Sequence, residues 1–226
     1  MKASRLLSEA LVFVAVLMSP ACGQAPLNTP QPGARLKLPA PETKGGMSVE
    51  EALARRASVR EFTRQPLAQA ELSQLLWAAQ GITHGKSGRT APSAGALYPL
   101  ELYVAVRDGF YRYEPYGHEL QRITADDLRS NISKAALNQP ALVEAAAVFV
   151  FTAVYERTAR RYGEERARRY VLIEIGHAAQ NLLLEAVALR LGGVPVGAFN
   201  DSQLQKVLPV PGDHTVLYLV AVGYPQ

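Results

Sequence analysis

Cysteine is all but absent. The chain of 226 residues holds one, Cys22. A single cysteine excludes an internal disulfide framework and a cysteine-rich zinc site, and no metal site is expected. Charge is scarce too, at 19% of residues, and nearly balanced: 24 Lys+Arg against 20 Asp+Glu give a net +4. An excess this small and dispersed excludes the electrostatic footprint of a nucleic-acid binder. The unbroken apolar run Ala10–Met18 is far shorter than the ~20 residues a membrane-spanning helix needs. What is present is a 48% hydrophobic content, which excludes global disorder, in a length that suits one domain with a tail.

That apolar run has a context. Lys2 and Arg5 precede it, and Ser19, Pro20, Ala21 and Cys22 follow. This is the order of a secretory signal: basic, apolar, then small residues. Residues 1–21 are read as a signal peptide. Cys22 sits directly after the expected cleavage point, as in a bacterial lipoprotein, and is the candidate lipid anchor. Ser19 and Ala21 also suit ordinary signal cleavage at the same bond, and the alternative to the favoured lipid anchor is a soluble secreted or periplasmic protein. The expected location is therefore outside the cytoplasm, on the periplasmic or cell-surface side. Residues 22–47 carry Pro26, Pro30, Pro32, Pro39 and Pro41 and read as a tether. The folded domain is expected over residues 48–226.

Within that domain helix and strand patterns alternate. Ser48 with Glu51 opens a helix to about Arg56. Leu67–Gln80 has a helical apolar stripe closed by Gly81. Residues 102–106 read as a strand, and residues 110–113 and 119–123 as a hairpin around Pro115 and Gly117. Residues 125–137 read as a helix, 145–155 as a buried strand, and 165–191 as one long helix. Residues 194–199 are extended, 202–207 a short helix and 216–223 a buried strand. The class is α+β. From Val171 onward the long helix is apolar on nearly every side, so it is expected at the centre of a core or at a subunit interface. His177 within it reads as a core histidine.

Three segments are rich in features that bind ligands. In Arg55-Arg56-Ala57-Ser58-Val59-Arg60 the residues Arg56, Ser58 and Arg60 alternate, so an extended backbone puts two guanidinium forks and a hydroxyl on one face. That donor set suits a phosphate; a solvated basic helix end is the plain alternative. Residues 91–99, Ala-Pro-Ser-Ala-Gly-Ala-Leu-Tyr-Pro, carry small side chains that let backbone N–H groups approach a ligand, or form a mere connection. Val194-Pro195-Val196-Gly197-Ala198-Phe199 offers a close backbone approach at Gly197, or a strand bend.

Together with Gly-His-Ala-Ala-Gln-Asn-Leu at 176–182, these segments occur in one order, and in that order the chain resembles the nitroreductase family of flavoenzymes. The nearest branch is the one holding the dehydrogenases of azole-forming peptide pathways. The resemblance covers about residues 48–226. It implies a sandwich in which helices flank a central, mainly antiparallel sheet, with FMN held at a homodimer interface. It further implies that Arg56, Ser58 and Arg60 hold the FMN phosphate, ribityl chain and pyrimidine edge. Pro92, Ser93, Ala94 and Gly95 would pack on the flavin from the other subunit, and Val196 and Gly197 would lie along the ring system. Many relatives carry a basic cluster after the last strand. Here the sequence reads Gly223-Tyr224-Pro225-Gln226, and Arg89 is the candidate replacement.

The implied activity is two-electron transfer by a ping-pong mechanism on a small-molecule or peptide-derived substrate. The flavin carries the chemistry, so no catalytic acid or base is required; Tyr98 is the candidate proton donor. NAD(P)H is the usual donor for such enzymes, but an exported protein would not meet it, so a different donor, or reoxidation by oxygen or a quinone, is expected. The competing reading is a flavin-binding or degenerate surface lipoprotein without turnover.

Overall fold

A computed structural model describes residues 33–85 and 88–226. The signal peptide, Cys22 and the tether as far as residue 32 lie outside the described residues. In chain order the elements are β1 (Arg35–Lys37), α1 (Val49–Arg55), α2 (Gln69–Gln80), β2 (Ile82–His84), β3 (Gly88–Arg89), a single 3-10 turn at Ala94–Ala96, β4 (Leu100–Val106), β5 (Gly109–Glu114), β6 (Glu119–Thr124), α3 (Arg129–Ala135), α4 (Ala141–Glu144), β7 (Ala147–Ala153), α5 (Tyr155–Tyr162), α6 (Glu164–Ala188), β8 (Gly192–Val196), α7 (Asp201–Val207) and β9 (Thr215–Gly223).

Seven strands form one sheet in the order β1-β6-β5-β4-β7-β9-β8, each pair antiparallel. Strand β7 is buried along its whole length, and its side chains alternate between two cores. Phe149 and Phe151 point to one face, where Leu75 and Leu76 of α2 and Val171, Ile175 and Leu182 of α6 cover them. Val148 and Val150 point to the other face, with Ile132 of α3, Leu142 of α4 and Leu204 of α7. This is the expected α+β sandwich with a central antiparallel sheet.

Three expectations change. The Pro-rich stretch is not wholly a tether: β1 pairs with β6 as an edge strand, Leu38 is buried, and the Ser73 hydroxyl donates to the Pro39 carbonyl at 2.7 Å. The folded unit thus begins by Arg35 rather than at residue 48. Arg35 and Lys37 flank the edge and engage Glu119 and the Gly117 carbonyl, charges that discourage further strand pairing. Next, the expected helix over 165–191 begins at Glu164, ends at Ala188 and is preceded by a separate α5. The break falls at Gly163, whose φ of 78° is a left-handed turn that side-chain-bearing residues avoid.

Finally, α6 is not buried on all sides. It buries Val171, Ile175, Ala178, Ala179, Leu182, Leu183 and Ala186 against the sheet and α2. The opposite face shows Leu172 (56% exposed) and Ile173 (50%), with Gly176, His177 and Gln180 exposed in the following turns. His177 is therefore a surface residue, not a core histidine. The buried histidine is His214, whose Nδ1 lies 2.7 Å from the Tyr103 hydroxyl.

Candidate functional site

Arg56, Ser58 and Arg60 leave α1 in an extended path beside the sheet edge. Ser58 forms a parallel bridge with Gly193 of β8, and the Val59 N–H donates to the Gly193 carbonyl at 3.1 Å. The first and third candidate segments are thus brought together by backbone pairing on a strand that has no other neighbour on this side. Alternation then does what the sequence implies: Val59 points toward β8, while Ser58 and Arg60 face solvent and Arg56 is half-buried.

The contact requires glycine at one position. A Cβ placed on Gly192 would lie 2.7 Å from the Val59 Cβ. Val59 is β-branched and stiff, so it cannot swing aside. Gly192→Ala is expected to cost about 1–3 kcal/mol in a denaturant melt, the usual range for overpacking. Combined with Val59→Gly it should cost markedly less than the sum of the two changes. Strictly additive costs would show that this contact is not the cause.

The same segment is pinned from its other end. The Thr63 N–H donates to the Tyr224 carbonyl at 2.9 Å, and Gln226 Nε2 donates to the Phe62 carbonyl at 3.0 Å. The Tyr224 hydroxyl donates to the Glu71 carboxylate at 2.7 Å, anchoring this tail to α2. The residues after the last strand therefore fix Glu61–Thr63, the continuation of the Arg56–Arg60 segment.

The donor set fits an anionic group. Among the described residues, the side chains of Arg56 and Arg60 have no acidic or hydrogen-bonding partner. Arg55, one residue earlier, is paired with Glu51. Arg60 and Val194 also line a cleft of about 500 Å³ with Glu61, Gln139, Pro140, Ala141, Glu144 and Gln226. Gln139 Nε2 donates to the Ala198 carbonyl at 3.0 Å and fixes the chain just after Val196 and Gly197. Gly197 is exposed, open to a flat ligand.

Pro92–Tyr98 is shaped by contacts of its own. Ala96 (φ 54°) and Tyr98 (φ 46°) are left-handed despite bearing side chains, a conformation that persists only when its surroundings fix it. Ser93 Oγ accepts the Tyr98 N–H at 2.9 Å, and Arg157 donates to the Tyr98 carbonyl at 3.1 Å. Pro92 and Gly95 are exposed, Ser93 and Ala94 half-buried. Among the described residues, no hydrogen bond or bridge joins this turn to Arg56–Arg60 or to β8.

Arg89, the candidate replacement for a basic cluster, belongs with this turn. Its guanidinium donates to Gln80 Oε1 at 2.6 Å and stacks over the Tyr98 ring at 4.5 Å. The Tyr98 hydroxyl accepts the Arg89 N–H at 3.3 Å. Both side chains thus build the turn.

The sequence reading passed over Glu174. It sits on the buried face of α6, 3% exposed, facing Ser93 and Arg89. Burial raises its carboxyl from 4.5 to about 7, outweighing Ser93 and Arg89, which pull it down. A carboxylate within the apolar run Val171-Leu172-Ile173-Glu174-Ile175, one turn after Val171, was the available signal.

A family model described as the nitroreductase family matches residues 53–224. The chain belongs to the nitroreductase family. Its members are typically flavin-dependent oxidoreductases. A nitroreductase-family protein of Methanocaldococcus jannaschii is 44% identical over 170 residues, covering 73% of this chain and 85% of that protein. A solved nitroreductase-family structure from Ralstonia eutropha superposes with a TM-score of 0.78 at 32% identity, over 85% of this chain and 90% of the other. The NADPH-flavin oxidoreductase of Vibrio harveyi is 26% identical over 79% of this chain and 66% of its own.

Proposed function

We propose that this nitroreductase-family protein is an FMN-dependent oxidoreductase whose site is completed by a second copy of the chain. One observation carries the reading: two unpaired guanidinium groups and a hydroxyl are held beside β8, where Ser58 pairs with Gly193 and Arg60 shares a cleft with Val194. Arg56, Ser58 and Arg60 would hold the phosphate, ribityl chain and pyrimidine edge through charge-assisted hydrogen bonds. Backbone at Val196 and Gly197 would lie along the ring system. Among the described residues Pro92–Gly95 makes no hydrogen bond or bridge to Arg56–Arg60; the partner's turn would cover the ring, and the exposed Leu172 and Ile173 on α6 would lie in the interface. Arg89 is assigned to support of that turn, and Tyr98 to packing.

FMN, when bound, would supply the hydride-transfer chemistry between a donor and an acceptor. The chain contributes position and charge. Arg60 would stabilise the negative charge of the reduced group at its pyrimidine edge. One open face would serve donor and acceptor in turn, so ping-pong kinetics are expected. The relative named NADPH-flavin oxidoreductase favours a nicotinamide donor. Export, read from residues 1–21 and Cys22, favours another donor or a dehydrogenase direction on a peptide-derived substrate, as in the azole-forming branch.

An absorbance spectrum of the purified full chain tests the core of this. Yellow protein that bleaches with NADPH or another reductant and recovers with an acceptor is the expected result. Colourless protein that takes up no added FMN overturns it. Spectra of membrane and soluble fractions test the anchor: the protein should leave the membrane fraction when Cys22→Ser is introduced.

A further inference from the structure

A carboxylate lies inside β4, a strand buried from Leu100 to Ala105. Glu101 is 8% exposed. Burying a charge is costly unless it is paired and hydrogen-bonded. Here both oxygens are used. Oε2 accepts from Arg112 of β5, from Nε at 3.0 Å and from Nη2 at 2.8 Å. Oε1 accepts from Nη2 of Arg157 on α5. Arg157 has a second engagement: its Nη1 donates to the Tyr98 carbonyl at 3.1 Å. The guanidinium fork is rigid, so fixing one nitrogen on Glu101 sets the direction of the other.

Tyr98 is therefore gripped on both sides of its α-carbon, by Ser93 Oγ at its N–H and by Arg157 at its carbonyl. Contacts of this kind are what keep a left-handed tyrosine in place. The same helix covers the turn one helical turn further on. A Cβ placed on Gly95 would lie 2.7 Å from the Tyr162 hydroxyl and 2.9 Å from Arg161 Nη1. Helix α5 is thus the surface on which Ser93–Tyr98 is seated. We propose that Glu101 is a positioning residue: it aims Arg157 at the Tyr98 carbonyl, and through that contact it sets the turn that presents Pro92–Gly95 to the flavin. This inference rests on the functional reading above. The two arginines have separate tasks. Arg112 offsets the buried charge within the sheet and, among the described residues, makes no hydrogen bond to the turn. Arg157 carries the position of the carboxylate outward to the site.

FMN titrations of the full chain, followed by flavin fluorescence, test this with the parent, Arg157→Ala, Glu101→Gln and the double variant. Each single change is expected to raise the Kd about tenfold, the scale of one charge-assisted hydrogen bond. The double variant should also stay at about tenfold, because Glu101 acts through Arg157 and has nothing left to aim. A carboxylate that only stabilised the sheet would weaken binding equally in both backgrounds and give about 100-fold, which overturns the inference. Arg112→Ala is the control: a thermal melt should show lost stability while the Kd stays close to that of the parent. A Kd raised as far as in Arg157→Ala overturns the division of tasks and the inference with it. A folded Glu101→Gln that binds FMN like the parent overturns the inference alone. If Glu101→Gln fails to fold, Arg157→Ala decides. Its side chain is 39% exposed on a helix surface, so this variant should fold, and parent affinity in it overturns the inference. A parent that takes up no FMN overturns the functional reading and this inference together.

Discussion

Replacing Arg56 and Arg60 together by alanine is expected to weaken FMN binding about 100- to 10,000-fold and to leave the fold unchanged. Each guanidinium is positioned to make charge-assisted hydrogen bonds to an anion, and such bonds contribute about 1.5–3 kcal/mol. Two of them give about 3–6 kcal/mol, and each 1.4 kcal/mol is about tenfold in affinity. The fold should not notice, because neither side chain has a partner within the described residues. Surface changes that break no contact usually stay within about 0.5 kcal/mol. Arg55→Ala is the matched control. Its charge is engaged by Glu51 on the helix surface, so FMN binding should be nearly unaffected. Fluorescence titration with FMN and a denaturant melt read the two quantities separately. Parent-like affinity in the double variant would remove the phosphate assignment.

Leu172→Glu with Ile173→Glu should convert the proposed dimer into a monomer and release the flavin in the same step. The two apolar side chains stand on the exposed face of α6, beside Gly176, which has open space around it. Burying that face against a second copy would be favourable, and four like charges facing one another across a two-fold axis would not. The substituted residues point away from the core, so the monomer should keep its secondary structure. The flavin is expected to leave because Pro92–Gly95 of the second copy leaves. Size-exclusion chromatography with light scattering, run with absorbance detection, shows both events at once. A monomer that retains stoichiometric flavin would place the whole site within one chain.

The parts of the molecule legible from sequence are those where local chemistry decides. The Ala147–Ala153 strand is continuous and apolar, the β5–β6 hairpin turns at Pro115–Gly117, and Ser48 caps α1 with a 3.1 Å bond from the Glu51 N–H. Alternation of Arg56, Ser58 and Arg60 was legible for the same reason. The exposed face of α6 was not, because Leu172 and Ile173 are as apolar as Val171 and Ile175, and periodicity cannot rank faces that are all hydrophobic. Strand β1 was hidden because its evidence is the partner β6, far along the chain. Arg89 was assigned to phosphate on charge alone; its contacts with Gln80 and Tyr98 are tertiary facts. The role of Tyr224–Gln226 was hidden likewise, since a tail with no basic residue looks like a missing feature until its backbone partners are known.

Those partners have a consequence for the order of events in folding. The Gln226–Phe62 hydrogen bond spans 164 positions of sequence, and the Gly193 contact is also long-range. Closing loops of this size carries an entropic cost before the contact rewards it, so such pairings form late. The Arg56–Arg60 segment is made early but acquires its shape only when β8, β9 and the tail have docked. Flavin capture should then report docking of the distal elements: a nascent chain that still lacks β8, β9 and Tyr224–Gln226 would carry the arginines and not hold the cofactor. Once bound, the ligand would draw the last docking step toward the finished state by mass action.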